Sequence, residues 1–218
     1  MILLYLLFIF LSLFILYAVA RHDFVLLRQS ISLRIVYDNV FISLFVFFIF
    51  SRVGFAFYKQ SLEILNPLKF FYLTKYWGLT PYIGFVGIIF AVLFLFRKKK
   101  NKLRILDIYF ISFSPLILLD VSSRGSGNIL FLIKCISLIV LIAFYGWFIK
   151  IHNKFTTKDG FITVMTILTY TLVSLALSFA AFGIFSQKYM WFNLFLGVSS
   201  IVSVIMLFLV QKDTFNKQ

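Results

Sequence analysis

The chain has 218 residues, of which 62% are hydrophobic and 13% charged. A soluble domain carries about 25% charged residues, so a water-soluble globule is excluded, and 31 Phe argue against disorder. The formal net charge of +14 points to membrane topology rather than a nucleic-acid partner, because the basic residues fall between apolar runs.

A run of roughly 18 or more apolar residues is long enough to cross a bilayer as a helix. Taken in chain order, the predicted spans are Met1–Ala20, Asn39–Tyr58, Pro81–Phe96, Ile105–Val121, Ile129–Lys150, Gly160–Phe182 and Trp191–Gln211. The expected fold is therefore all-α, a polytopic membrane protein with seven transmembrane helices in one domain, residues 1–218. The first segment ends in Ala18-Val19-Ala20, which looks like a signal-peptidase site. It lacks a basic leader and its apolar run is long, so it reads as a retained span. The third is short, but Gly78 and Leu79 extend it. Cys135 is the only cysteine, which excludes an internal disulfide and a cysteine metal cluster. No cofactor is expected. His22 and His152 flank span ends and read as interfacial residues.

Basic residues are retained on the cytoplasmic side. With the N-terminus outside, the cytoplasmic segments hold fourteen Lys and Arg and the outer segments five. The expected orientation is N-out and C-in. The run Arg97-Lys98-Lys99-Lys100-Asn101-Lys102 then faces anionic head groups on the cytoplasmic side. The longest connector, Lys59 to Thr80, lies outside. Its Asn66-Pro67 predicts a turn, and its aromatics interleaved with Lys69 and Lys75 suit the outer interface.

Three polar clusters fall on that outer side. Arg52 lies fourteen residues after Asp38, roughly 21 Å across at 1.5 Å per residue. An intramembrane Arg is expensive unless it pairs, lines a polar cavity or snorkels. It reads either as a residue reaching the outer head groups or as a clamp for a lipid phosphate. Gly84 and Gly87 lie on adjacent turns at the mouth of span three and permit close helix approach. They mark a packing groove or part of a site. Ser122 to Asn128 join spans four and five with one Arg and one Asn. That segment is a polar turn or an anion site built on backbone N–H groups and Arg124. Asp120 is a candidate partner for Arg124. Asp107 is expected to interact with the basic loop before it. Lys134 is expected to snorkel outward.

The order of these motifs resembles the bacterial prolipoprotein diacylglyceryl transferases. These are seven-span, N-out enzymes that move the diacylglyceryl group of phosphatidylglycerol onto a lipobox cysteine. The resemblance runs best from Asp38 to Asn128. Ser51-Arg52-Val53-Gly54-Phe55 is similar to the family's second-span segment, and Asn66-Pro67-Leu68 to its connector. Gly78-Leu79-Thr80-Pro81-Tyr82-Ile83-Gly84-Phe85-Val86-Gly87 is similar to the family's G-M-S-F-H-G-G-L-L-G. Leu106-Asp107 and Pro115 fall where its fourth span begins and continues, and Arg124 to Asn128 resembles G-R-x-G-N with one extra residue. The resemblance implies catalytic roles for Tyr82, at the family's His position, and Arg124. It implies substrate binding by Arg52, Asn128, Gly84 and Gly87. The implied partners are phosphatidylglycerol, the prolipoprotein signal segment and membrane lipids, in the bacterial plasma membrane. The sequence also departs from the family. Tyr82 replaces the His, the H-P-x-Q-L-Y-E motif is absent, and span six keeps Gly160 and Tyr170 but carries Ser174 and Ser178 where the family has Arg and Glu. A relative that binds phospholipid or signal segments without transfer is the alternative, and a structural membrane subunit is a third reading.

The charge asymmetry makes a direct prediction. A reporter active only outside the cell is expected to be silent when fused after Lys102 and active after Lys188. Activity at Lys102 would overturn the orientation.

Overall fold

The computed structural model describes residues 2–23, 32–59, 66, 70, 80–97, 102–123, 128–153, 158–182 and 190–215, with side chains over most of them. Gly78, Leu79, Arg124 to Gly127, and the basic run from Lys98 to Asn101 lie outside them, as do the side chains of His22, Asn128 and His152. The described residues are all-helical, in eight helices. They are α1 (Ile2–His22), α2 (Leu33–Lys59), α3 (Pro81–Leu95), α4 (Lys102–Ser112), α5 (Ser114–Ser123), α6 (Asn128–Asn153), α7 (Phe161–Phe182) and α8 (Met190–Phe215). Three segments are long and apolar enough to cross a membrane: Leu33–Phe57, Phe131–Lys150 and Phe161–Ala180. Leu6–Arg21, Pro81–Leu95 and Leu194–Met206 are shorter apolar helices.

Every apolar segment expected from the sequence is helical, but span four is not one helix. A turn at Phe113 divides it into α4 and α5. Pro115 is the cause. It has no N–H to donate, and its ring clashes with the carbonyl four residues back. The chain tightens there, and the Leu116 N–H reaches only to the Phe113 carbonyl at 3.0 Å. The second helix also begins six residues before the expected Asn39. Its first turns carry the exposed pair Arg34–Asp38, with Nε to Oδ2 at 3.8 Å. An ion pair this open to solvent adds little stability.

The chain divides into two compact units. One comprises Met1–Phe24 and Leu106–Gln218, the other Val25–Ile105. In the first, α5 packs on α1 and α6, and α7 packs on α6 and α8. In the second, α2 packs along α3. Small residues set the spacing of that second pair. A Cβ added at Gly84 would meet the Ser51 hydroxyl and the Phe47 ring, the latter at 2.5 Å. One at Gly87 would meet Phe50 at 2.8 Å, and one at Gly54 would meet Ile83 at 2.5 Å. The rings of Phe47 and Phe85 stand edge to face at 5.3 Å, closing the same contact. Backbones come this close only where a side chain is missing, which is how helices associate tightly in lipid.

Gly84→Val is therefore expected to destabilise the chain by at least the usual overpacking cost of about 1–3 kcal/mol. The thermal midpoint in detergent would read this. Shrinking the opposing ring, as in Phe47→Leu with Gly84→Ala, is expected to recover part of the loss. An unchanged midpoint for Gly84→Val would show that the helices do not meet there.

Candidate functional site

The α2–α3 unit holds the first candidate constellation. Arg52 sits in the apolar stretch of α2 and is 0% exposed. Its Nε donates to the main-chain carbonyl of Phe70 at 3.0 Å, and its guanidinium carbon lies 5.8 Å from the Phe70 ring centre and 6.0 Å from that of Phe55. Phe70 is held in turn. Its N–H donates to the Asn66 carbonyl at 2.8 Å, one helical turn back, and its ring packs edge-on to Phe48 at 5.8 Å. The bond at Asn66 thus brings part of the connector back onto the arginine. Of that connector only Lys59, Asn66, Phe70 and Thr80 are among the described residues.

Next to Arg52, Ser51 ties α2 to the start of α3. Its hydroxyl donates to the Thr80 carbonyl at 3.1 Å, and the Thr80 N–H donates to the Ser51 carbonyl, also at 3.1 Å. Helix α3 has no side-chain cap and starts on Pro81, whose missing N–H is no loss in a first turn. The reciprocal pair to Ser51 therefore fixes where α3 begins. Tyr82, in that first turn, is buried at 4% exposure. Gly84 and Gly87 face α2 and carry the helix contact described above. Arg104, counted among the loop charges, is buried in α4 at 1% exposure.

The other unit holds three buried carboxylates among its described residues, Asp23, Asp107 and Asp120, and the last two address α7. Asp107, fully buried in α4, accepts from the Gly160 N–H at 2.7 Å and the Thr163 N–H at 2.8 Å. The Thr163 hydroxyl donates to the same carboxylate at 2.7 Å. Gly160 is the N-cap of α7, since its carbonyl accepts from the Val164 N–H at 3.1 Å. It has a φ of 90°, which favours glycine, and glycine brings no capping side chain. Asp107 thus supplies from another helix the bonds that a capping box makes locally. Its charge suits the positive end of the helix dipole. The expectation for Asp107 was the basic loop, and these α7 bonds were not foreseen. Asp120, in α5, accepts from the Tyr170 hydroxyl at 2.6 Å. It had been read as the partner of Arg124, which lies outside the described residues.

On a continuous helix, residues 13 apart, such as Asp107 and Asp120, are turned about 220° from one another. Thr163 and Tyr170, seven apart on α7, share one face. The two carboxylates nonetheless bond to that one face, and the turn at Phe113 lies between them. Tyr170 shares its face with Ser174 and Ser178, buried at 0% and 9% exposure.

No family model, no curated protein and no solved structure matches the chain. The functional reading therefore stands on these residues and on the resemblance of motifs. Sequence reasoning singled out Arg52, Tyr82 and both glycines, which lie on α2 and α3, two helices that pack together. It missed the roles of Asp107, Thr163 and Asp120. Gly160 followed three residues later by Thr163 was the available signal, a helix start with no capping side chain of its own.

The broken span gives an unusual prediction. Replacing a helix-interior proline by alanine ordinarily helps a helix by about 3 kcal/mol. Pro115→Ala is expected to lower the thermal midpoint instead, because a continuous helix loses one of the two carboxylate bonds. A raised midpoint would show that the break does not serve them.

Proposed function

We propose that this chain is a seven-span protein of the bacterial plasma membrane, N-out and C-in, that binds the phosphate of an anionic phospholipid at Arg52. It would do so as a divergent relative of the prolipoprotein diacylglyceryl transferases. The observation that carries the reading is a fully buried guanidinium in a helix apolar enough to cross a membrane. Charges at such positions are rare because they are expensive, and they mark binding sites. Aromatic faces and a main-chain carbonyl hold the arginine rather than solvent. A guanidinium held this way keeps its charge, which suits a phosphate.

In the transfer reaction the sulfur of the lipobox cysteine bonds to a glycerol carbon of phosphatidylglycerol. The bond from that carbon to the phosphate oxygen breaks, and the thiol proton leaves to an acceptor. Negative charge grows on the departing phosphate, and a fixed cation stabilises it. Arg52 would serve there. Tyr82 would be the proton acceptor. A phenol serves this role less well than the family's imidazole, which exchanges protons near neutral pH.

A second reading has its own support. The face of α7 that carries Tyr170 bears Ser174 and Ser178 where the family has Arg and Glu. That change removes a cation and an acid from one buried helix face. It favours a relative that binds phospholipid or lipoprotein signal segments without transferring.

Purified protein is to be assayed for diacylglyceryl transfer from phosphatidylglycerol to a lipobox peptide, and separately for saturable phosphatidylglycerol binding. Under the transferase reading, Arg52→Ala is expected to lower the rate by roughly 10²-fold or more, the usual scale for one lost transition-state donor. Tyr82→His is expected to raise it. Binding without transfer, lost in Arg52→Ala, would support the second reading. Neither binding nor transfer would overturn both and leave a structural subunit.

A further inference from the structure

Buried Ser and Thr in a helix ordinarily turn their hydroxyls back to a carbonyl three or four residues earlier. In this chain Ser112, Thr169, Ser200 and Ser203 do so, at 2.6 to 3.0 Å. Thr166 and Ser174 do not. Both are 0% exposed, and neither hydroxyl oxygen has a hydrogen-bond partner. They lie on one face of α7. Thr166 falls between Thr163, which binds Asp107, and Tyr170, which binds Asp120. Ser174 follows one turn beyond Tyr170.

We propose that α7 holds ordered water at Thr166 and at Ser174, so that the Tyr170–Asp120 pair stands in a hydrated seam. The spacing suits it. Thr163 and Thr166 are three residues apart, and Ser174 and Ser178 four, which puts each pair of β-carbons about 5–6 Å apart. A water about 2.8 Å from each of two oxygens spans that gap. The energetics favour it too, because a dry, unpartnered hydroxyl is strongly disfavoured in an apolar interior and one water relieves it. The other two buried hydroxyls without partners, Ser12 and Tyr145, belong to the same unit. Four such groups fit a protein that holds on the order of one buried water per 27 residues. The inference is independent of lipid binding and of transfer.

The test is X-ray radiolytic footprinting of the full chain in lipid nanodiscs, in which radicals born from bound water oxidise adjacent buried side chains. Tyr170 is expected to be oxidised despite its burial, and Thr166→Val with Ser174→Ala to reduce that oxidation severalfold. Each substitution alone is expected to lower the thermal midpoint by roughly 2–4 °C, the shift that follows loss of one ordinary hydrogen bond in a chain of this size. Ser174→Thr, which keeps the hydroxyl, is expected to retain both readouts. Absence of oxidation at Tyr170 in the unmodified chain would overturn the proposal. So would a midpoint that rises when either hydroxyl is removed, because deleting a dry orphan stabilises.

Discussion

A carboxylate in an apolar interior must be surrounded by donors, and Asp107 shows what that requirement imposes on its neighbours. Its oxygens take two main-chain N–H groups and a hydroxyl from the first turn of α7. Those N–H groups have no partners within their own helix. Each side thus satisfies what the other lacks. The glycine at the cap follows from the same requirement, because a side chain there would compete for the donors and resist the backbone's positive φ. So does the break in span four, because Asp120 binds the same face of α7 farther along. One proline, one glycine and two acids form a single device that aligns α4 and α5 with α7.

The α2–α3 unit solves a different problem with different means. A guanidinium cannot be neutralised as readily as a carboxylate, and Arg52 is held by a carbonyl and two ring faces. Its surroundings are built largely from aromatic residues, which this sequence has in abundance. The close approach at Gly84 and Gly87 brings the start of α3 against Ser51, the residue beside the arginine. The glycines therefore act on the candidate site through helix spacing, by positioning Tyr82 and Arg52 on elements that cannot slide.

Much of this was legible in the sequence, and for a physical reason. A helix in an apolar medium satisfies its own backbone, so length and hydropathy alone locate it. All the expected apolar segments are helical, with ends displaced by up to six residues. The break at Phe113 was missed because hydropathy does not register the N–H that Pro115 lacks. Arg52 was conspicuous because charge is rare there. Asp107 and Asp120 were visible too, but not their bonds to α7. Their partners lie 50 to 56 residues away, and no local pattern reveals a carboxylate that caps a distant helix. The unpartnered hydroxyls of Thr166 and Ser174 were equally hidden, since a Ser or Thr in a span is ordinarily bonded to its own backbone.

The long separation between Asp120 and Tyr170 also has a consequence for biosynthesis. Their bond joins residues 50 apart in the chain. At 5–20 residues per second, the ribosome makes the tyrosine roughly 2–10 s after the aspartate. Helix α5 is complete well before the hydroxyl that its carboxylate accepts exists. Until then α4 and α5 stand with their α7 bonds unmade, and a chain that stalls before Gly160 carries two acids whose α7 donors do not yet exist.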